Sequence, residues 1–146
     1  MKIAIVYSSI TGNTEEGCKL IQSFFRVGTV QRFRIAEFNL EQLNNYDAII
    51  VGTYTWGNGD IPVEMLDLYH AFEKVEVKHI VTGVFGTGDQ LYPHFCGAVD
   101  KFRDMLFIHT TLAATLKIEV APQLQDLNRC HGFVQSIKGR LQHYAR

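Results

Sequence analysis

Ile3-Ala4-Ile5-Val6-Tyr7, running on into Ser8-Ser9-Ile10-Thr11-Gly12-Asn13-Thr14, is the stretch that decides the fold. Five consecutive apolar residues that end at a turn read as a strand buried on both faces, and such strands belong to parallel sheets. The hydroxyl-rich loop Ser9, Ile10, Thr11, Gly12, Asn13, Thr14 then opens into a helical pattern. Backbone N–H groups at the start of that helix point at one spot, and the helix dipole favours an anion there. Ser9, Thr11 and Thr14 can add hydroxyl donors. Lys2 is the only basic residue before Lys19, so a phosphate at this loop is held by neutral donors alone. Two commoner phosphate loops are excluded by spacing. No Lys follows Gly12, as a P-loop requires, and the loop has a single glycine where a dinucleotide loop has three. A monophosphate clasp remains, with a Ser/Thr-capped helix start as the plainer alternative.

Working outward, apolar runs alternate with helical patterns. Strands are expected over 2–7, 30–36, 48–52, 80–86 and 113–120. Helices are expected over 13–25, 62–74, 93–107 and 126–145, with a short extra turn at Asn39-Leu40-Glu41-Gln42. Glu15 and Glu16 fall in the first turn of the first helix, where acids suit the dipole. Pro62 and Pro93 lie near helix starts, where a missing N–H costs nothing. Strands alternating with helices imply crossover units and an open, doubly wound α/β fold with five parallel strands. In such a sheet a ligand sits beyond the carboxyl ends of the strands, where the strand order reverses. The loops after the first, third and fourth strands are therefore the ones that matter.

Composition narrows the function. The 146 residues suggest one domain over 1–146, and 47% hydrophobic residues supply a full core. A net charge of -1 gives no general argument for nucleic acid or an anionic membrane. The basic residues near the end (Arg129, Lys138, Arg140, Arg146) read as a solvated helix face. The apolar run after Met1-Lys2 is too short for a signal core, and no stretch has the length of a membrane span. Cys18, Cys96 and Cys130 are odd in number and widely spaced, so a disulfide framework is not expected. Six histidines show no metal-ligand spacing, and no metal is expected. A reduced cytoplasmic protein fits these features.

The two remaining loops carry the unusual residues. After the third strand comes Thr53-Tyr54-Thr55-Trp56-Gly57-Asn58-Gly59-Asp60, with the only Trp of the chain. A lone Trp is ordinarily core, but one flanked by Gly57 and Gly59 in a loop has little to bury against. After the fourth strand comes Gly86-Thr87-Gly88-Asp89-Gln90-Leu91-Tyr92-Pro93-His94-Phe95, where Tyr92 is an aromatic in a turn. Read alone, Tyr92 is an amphipathic surface residue. One phosphate clasp and two loop aromatics together fit a planar ring system that carries a single phosphate.

These motifs make the chain similar to the flavodoxins, and to short-chain bacterial ones in particular. The resemblance rests on Ser9 to Thr14, on Thr55-Trp56-Gly57, and on Gly88-Asp89 with Tyr92 and Phe95-Cys96-Gly97-Ala98-Val99-Asp100. There is no room within 113–120 for the extra loop of long-chain members. The resemblance implies a flavodoxin-like sheet in the order 2-1-3-4-5 with helices on both faces, non-covalent FMN, and low-potential one-electron transfer between redox proteins. It assigns Ser9, Ile10, Thr11, Gly12, Asn13 and Thr14 to the phosphate. Trp56 covers the inner face of the isoalloxazine and Tyr92 the outer face. Thr55 and the backbone of Gly57, Asn58 and Gly59 face flavin N5, and the backbone of Thr87, Gly88 and Asp89 serves the pyrimidine edge. Thr53, Tyr54, Phe95 and Cys96 complete the expected cofactor-binding set.

The implied partners are a flavoprotein NADPH reductase as donor and redox proteins as acceptors, with no nucleic acid or membrane partner and a monomer expected. A Gly-containing peptide within 57–59 can turn its carbonyl toward N5 and favour a neutral semiquinone. In two respects the chain departs from the family pattern: it is not strongly acidic, and Asn58 stands where many members place an acid. Its second potential is expected to be less negative than that of an acidic relative. Glu15, Glu16, Asp60, Glu64, Asp67 and Asp89 can still ring the site, and His94 is expected near the ring. The alternatives are a flavodoxin-like NAD(P)H-quinone oxidoreductase and a flavin partner that activates a ribonucleotide reductase metal cofactor. A flavin-free receiver is disfavoured, because no acidic cluster follows the first strand.

Overall fold

A computed structural model describes residues 1–144 of the protein. Strands β1 (Ile3–Tyr7), β2 (Val30–Arg34), β3 (Ala48–Tyr54), β4 (Val81–Gly88) and β5 (Thr111–Glu119) form one parallel sheet in the order β2-β1-β3-β4-β5. The helices are α1 (Asn13–Ser23), α2 (Leu66–Lys74), α3 (Gly97–His109) and α4 (Leu127–Tyr144). The expected helix end at Ala145, and Arg146, lie outside the described residues.

The alternation of side chains along β1 divides the interior in two. Ile3, Ile5 and Tyr7 join Cys18 and Ile21 of α1 and Cys130, Phe133, Val134 and Ile137 of α4. Ala4 and Val6 join Leu68 and Phe72 of α2 and Val99, Phe102, Met105 and Leu106 of α3 on the other face. Each strand residue is thus buried by one helical layer or the other, which is why the run needs no polar alternation. The order of strands reverses between β1 and β3, and the loops after β1, β3 and β4 open at that point.

Several element boundaries differ from expectation, and two of the differences bear on the site. β3 and β4 continue past Gly52 and Gly86 to Tyr54 and Gly88, because pairing persists through Thr53↔Gly86, Tyr54↔Thr87 and Gly88↔Glu119. Thr53, Tyr54, Thr87 and Gly88 are therefore strand ends rather than loop residues. α3 begins at Gly97, not at 93, because Cys96 takes a left-handed conformation (φ 50°) that a helix cannot pass through.

The remaining differences are local. β2 ends at Arg34, and 35–37 turn as a 3-10 helix. Pro62 caps a short 3-10 turn (Val63–Met65) ahead of α2, and the turn at 39–42 is a 3-10 helix (Leu40–Asn45) capped by the Asn39 side chain. β5 starts early at Thr111, with Ala113 as the extra residue of a bulge.

Candidate functional site

The clasp is built at the C-terminal end of β1. Gly12 has φ 93°, which turns the chain into α1. Ser9 Oγ accepts from the N–H of Gly12 (3.2 Å) and of Glu15 (3.4 Å), which braces the loop from within and leaves the hydroxyl proton to donate elsewhere. The N–H groups of Asn13 and Thr14, among the first four of the helix, have no partner inside it. Thr14 is buried, and its Oγ1 lies 2.8 Å from Thr87 Oγ1. With Thr87 as donor, the Thr14 proton is left for a ligand.

Two adjoining hollows open beside the clasp. The first, about 370 Å³, is lined by Ile10, Thr11, Asn13, Thr14, Tyr54, Thr55, Trp56, Thr87, Gly88, Asp89 and Val120. The second, about 360 Å³, shares Thr55, Gly88 and Asp89 and adds Gly57, Tyr92, His94, Phe95 and Cys96. Each hollow carries one exposed aromatic: Trp56 is 60% exposed and Tyr92 68%. Among the described residues, no Lys or Arg lines either hollow. A larger hollow of about 680 Å³ lies at the other end of the sheet, along the C-terminal half of α3 and the start of β5, away from every one of these loops.

Residues 56–60 form a small hairpin. Trp56 N–H donates to Asp60 O (2.8 Å) and Asp60 N–H to Trp56 O (2.7 Å), with Gly57 at φ 51° and Gly59 at φ 92° between them. Three contacts tie the hairpin to the start of α3. Thr55 Oγ1 accepts from Ala98 N–H (3.2 Å), Lys101 Nζ pairs with Asp60 Oδ1 (3.0 Å), and Gly59 packs flat on Gly97. A Cβ on Gly97 would lie 2.7 Å from Gly59 Cα and 2.9 Å from Gly59 O. Gly97 must be a glycine for that approach, whereas at Gly59 it is the positive φ and His94, whose Cβ would lie 2.8 Å from an added Cβ, that call for glycine.

Not every expected residue faces the hollows. Thr53 is fully buried, its hydroxyl donates to Tyr54 O, and it lines neither. Asn58 is exposed at the hairpin tip, Gly59 is buried behind it, and Ser9 and Gly12 shape the loop without lining the first hollow. Cys96 is buried, with Sγ 3.7 Å from Gly86 O; burial pushes its thiol up to about 11. Val120 and Gly97 were not anticipated. Gly97 lies inside a recognisable motif, whereas nothing in the sequence around Val120 marks it.

The acids around the cleft are largely compensated. Glu15 accepts from Tyr7 OH and pairs with Arg34 (2.7 Å), Glu16 pairs with Lys19 (3.6 Å), and Asp60 pairs with Lys101. Glu64 Oε2 accepts from Ser8 Oγ (2.7 Å) and Tyr54 OH (2.6 Å), which locks the floor under the first hollow. Burial raises the Glu64 carboxyl, but the hydrogen bonds from Tyr54 and Ser8 outweigh it and hold it below its ordinary 4.5. Burial, then the bond to Glu64, pushes the Tyr54 phenol up to about 12.

A depressed carboxyl adds stability above its unfolded value and loses it as pH falls through the folded one. A raised phenol keeps its contribution below its unfolded value of 10.0 and loses it as pH climbs toward the folded one. Urea midpoints are therefore expected to be level from about pH 5 to about pH 10 and to fall on either side. Glu64→Gln should blunt both flanks, and an unchanged profile would exclude the network.

Among the described residues, no group of His, Cys, Asp or Glu is placed to hold a metal ion, and no helix is long and apolar enough to cross a membrane. Comparison with known proteins agrees with the geometry. The family model described as Flavodoxin matches residues 5–131. Probable flavodoxin 1 of Bacillus subtilis (strain 168) is 35% identical over 144 residues, covering 92% of this chain and 88% of that one. A flavodoxin of Maridesulfovibrio salexigens is 32% identical over 133 residues, covering 86% and 91%. The crystal structure of oxidised flavodoxin 2 from Bacillus cereus matches with a TM-score of 0.86 and 34% identity, over 96% of this chain and 99% of that one. With its sheet order, its switch-point cleft and this match over most of its length, the chain belongs to the flavodoxin family, whose members bind FMN and carry electrons between redox partners without turning over a substrate of their own.

Proposed function

We propose that this protein is a low-potential one-electron carrier built as a single FMN-binding domain, monomeric and cytoplasmic. It takes electrons from a flavoprotein NADPH reductase and passes them to redox acceptor proteins. One observation carries the reading: two exposed aromatics, Trp56 and Tyr92, stand over adjoining hollows that end at an unpartnered helix N-terminus. FMN, bound there, supplies the electron-carrying ring; flavodoxin is the standing example of a ligand at this switch point.

The donor set fits that group. The N–H groups of Asn13 and Thr14 and the hydroxyls of Ser9, Thr11 and Thr14 would hold the phosphate, with no Lys or Arg among the described residues that line the hollow. Trp56 and Tyr92 would sandwich the ring and exclude water from its faces. Thr87, Gly88 and Asp89 would border its pyrimidine edge, with Phe95 and Cys96 behind Tyr92.

The hairpin would govern the proton at N5. Its outer peptides are pinned by the Trp56–Asp60 bonds and by the seat of Gly59 on Gly97. A Cβ on Gly57 would meet only Asp60 Oδ2, at 3.4 Å, whereas a Cβ on Gly59 would lie 2.8 Å from His94 Cβ. The peptide between Gly57 and Asn58 is thus the freer one, and its carbonyl would be the one able to turn toward the N5 edge of a bound flavin. Among the described residues no Lys or Arg lines either hollow, and Lys117 and Arg129 border the neighbouring hollow that shares Phe95 and Val120. Negative charge added to a bound ring would therefore have no cation in contact with it, and the second potential would be low. Because Asp60, Glu15 and Glu16 are paired and position 58 is Asn, that potential is less negative than in an acidic relative.

A redox titration followed by visible absorption tests the reading. One FMN per chain and two well-separated one-electron steps are expected. A colourless chain that refuses FMN, or a single two-electron step, would refute it, and rapid direct oxidation of NADPH would identify a reductase instead. Thr14→Ala tests the clasp. Loss of a hydrogen bond to a charged phosphate is worth about 1.5–3 kcal/mol, so FMN should bind about 10- to 100-fold more weakly while riboflavin changes little. Equal losses for the two flavins would move the phosphate elsewhere.

A further inference from the structure

Among the described residues, two non-glycine residues have positive φ: Cys96 at 50° and Val120 at 59°. Both meet at Gly88, one of three residues shared by the two hollows. A Cβ on Gly88 would lie 3.1 Å from Cys96 Sγ, and Val120 N–H donates to Gly88 O at 2.6 Å. For a β-branched side chain the left-handed region is a genuine outlier, since Cβ crowds the neighbouring carbonyl. Such strain persists only where the surroundings over-determine it, and it gathers at ligand sites.

The bond to Gly88 is the last rung of the β4–β5 ladder. It fixes the height of Val120 beside Gly88, so the residue's own dihedrals decide where its side chain goes. In the conformation adopted, Val120 lines the first hollow together with Ile10, Thr11 and Trp56, and it also borders a neighbouring hollow with Phe95, Lys117 and Arg129. After it the chain leaves for α1, where Ala121 and Pro122 sit with Lys19 and Leu20. Val120 is 47% exposed, so the part of its surface that faces the first hollow is free for a ligand to cover. The same rung orients the next peptide. A planar trans peptide places its N–H opposite its C=O, so with Gly88 O committed to β5, the Asp89 N–H is turned to the other side, away from β5.

We infer that Val120 is a further flavin-contacting residue, a strained apolar wall that packs on the flavin beyond its phosphate. The inference rests on the FMN reading above and extends it to a residue outside the three recognised loops. A residue with a purely structural role would move stability and affinity together. Val120 moves them apart, because removing its side chain relieves strain in the flavin-free chain and strips a contact from the loaded one.

The test compares the parent with Val120→Gly and Val120→Ile, by urea denaturation of the flavin-free chains and by titration with FMN and with riboflavin. Val120→Gly is expected to hold or raise the urea midpoint while weakening both flavins about tenfold, the worth of half a buried aliphatic side chain. Val120→Ile should stay within about threefold of the parent for both. The inference is overturned if Val120→Gly keeps parental affinity, if its urea midpoint drops along with its affinity, if it loses FMN but not riboflavin, or if Val120→Ile loses as much as Val120→Gly. A parent chain that takes up neither flavin would overturn the FMN reading itself, whatever the variants do to the urea midpoint.

Discussion

Trp56→Ala is expected to weaken FMN binding about 100-fold while leaving the flavin-free fold as stable as before. The indole is 60% exposed, so binding would cover on the order of 100 Å² of it at about 25 cal/mol per Å². Ring stacking adds about 0.5–1.5 kcal/mol, for a total of about 3–4 kcal/mol, so a loss of about 100-fold is the lower end of the expected effect. The fold should not notice, because the hairpin is closed by the backbone of Trp56 and Asp60 rather than by the indole. Trp56→Phe should recover most of the affinity, since a smaller ring still stacks. FMN titration and urea denaturation, run side by side, check both halves. An affinity within about threefold of the parent would remove Trp56 from the ring.

Gly97→Ala is expected to cost both stability and redox tuning. The new methyl would meet Gly59 Cα, O and C at 2.7, 2.9 and 3.2 Å, all backbone, with no flexible side chain to yield. The hairpin must therefore shift away from α3, at an overpacking cost of about 1–3 kcal/mol. That shift strains the Thr55–Ala98 hydrogen bond and the Lys101–Asp60 pair, which fasten the same seam. It also moves the peptides that would face N5. A hydrogen bond there is worth about 1 kcal/mol net, so the first midpoint potential should move by some tens of millivolts. Lys101→Ala is the weaker neighbour, since an exposed pair contributes about 0–1 kcal/mol. A Gly97→Ala protein with parental potentials would show that the hairpin is not steered from α3.

Much of the site was legible locally. The hydroxyl loop at 9–14 and the loop aromatics Trp56 and Tyr92 stood out because each contradicts its ordinary use, the loop by its lack of a basic residue and the rings by having nothing to bury against. Thr53 lies off the hollows because strand ends are set by the neighbouring strand. Pairing of Thr53 with Gly86 carries β3 past the point where its apolar pattern stops. The sequence pattern puts the start of α3 at Pro93, which suits a helix start, while the left-handed turn at Cys96 that delays it belongs to packing against Gly88. The acids looked like a charged ring because their partners, Arg34 and Lys101, are distant in the chain.

By itself, the amino-acid order determined the two-sided burial of β1, the alternation that makes the sheet parallel, and the residue types gathered on three loops. Periodicity and local turn chemistry act within a few residues, and these features need nothing more. Only the tertiary structure decided which hydroxyl finds which partner, as with Thr14 and Thr87, 73 residues apart. It likewise decided that Gly59 rests on Gly97 and that Val120 is held in a strained conformation against the cleft. Such contacts exist only once distant segments have been brought together, and their geometry is imposed by the packed core on residues whose own preferences point elsewhere.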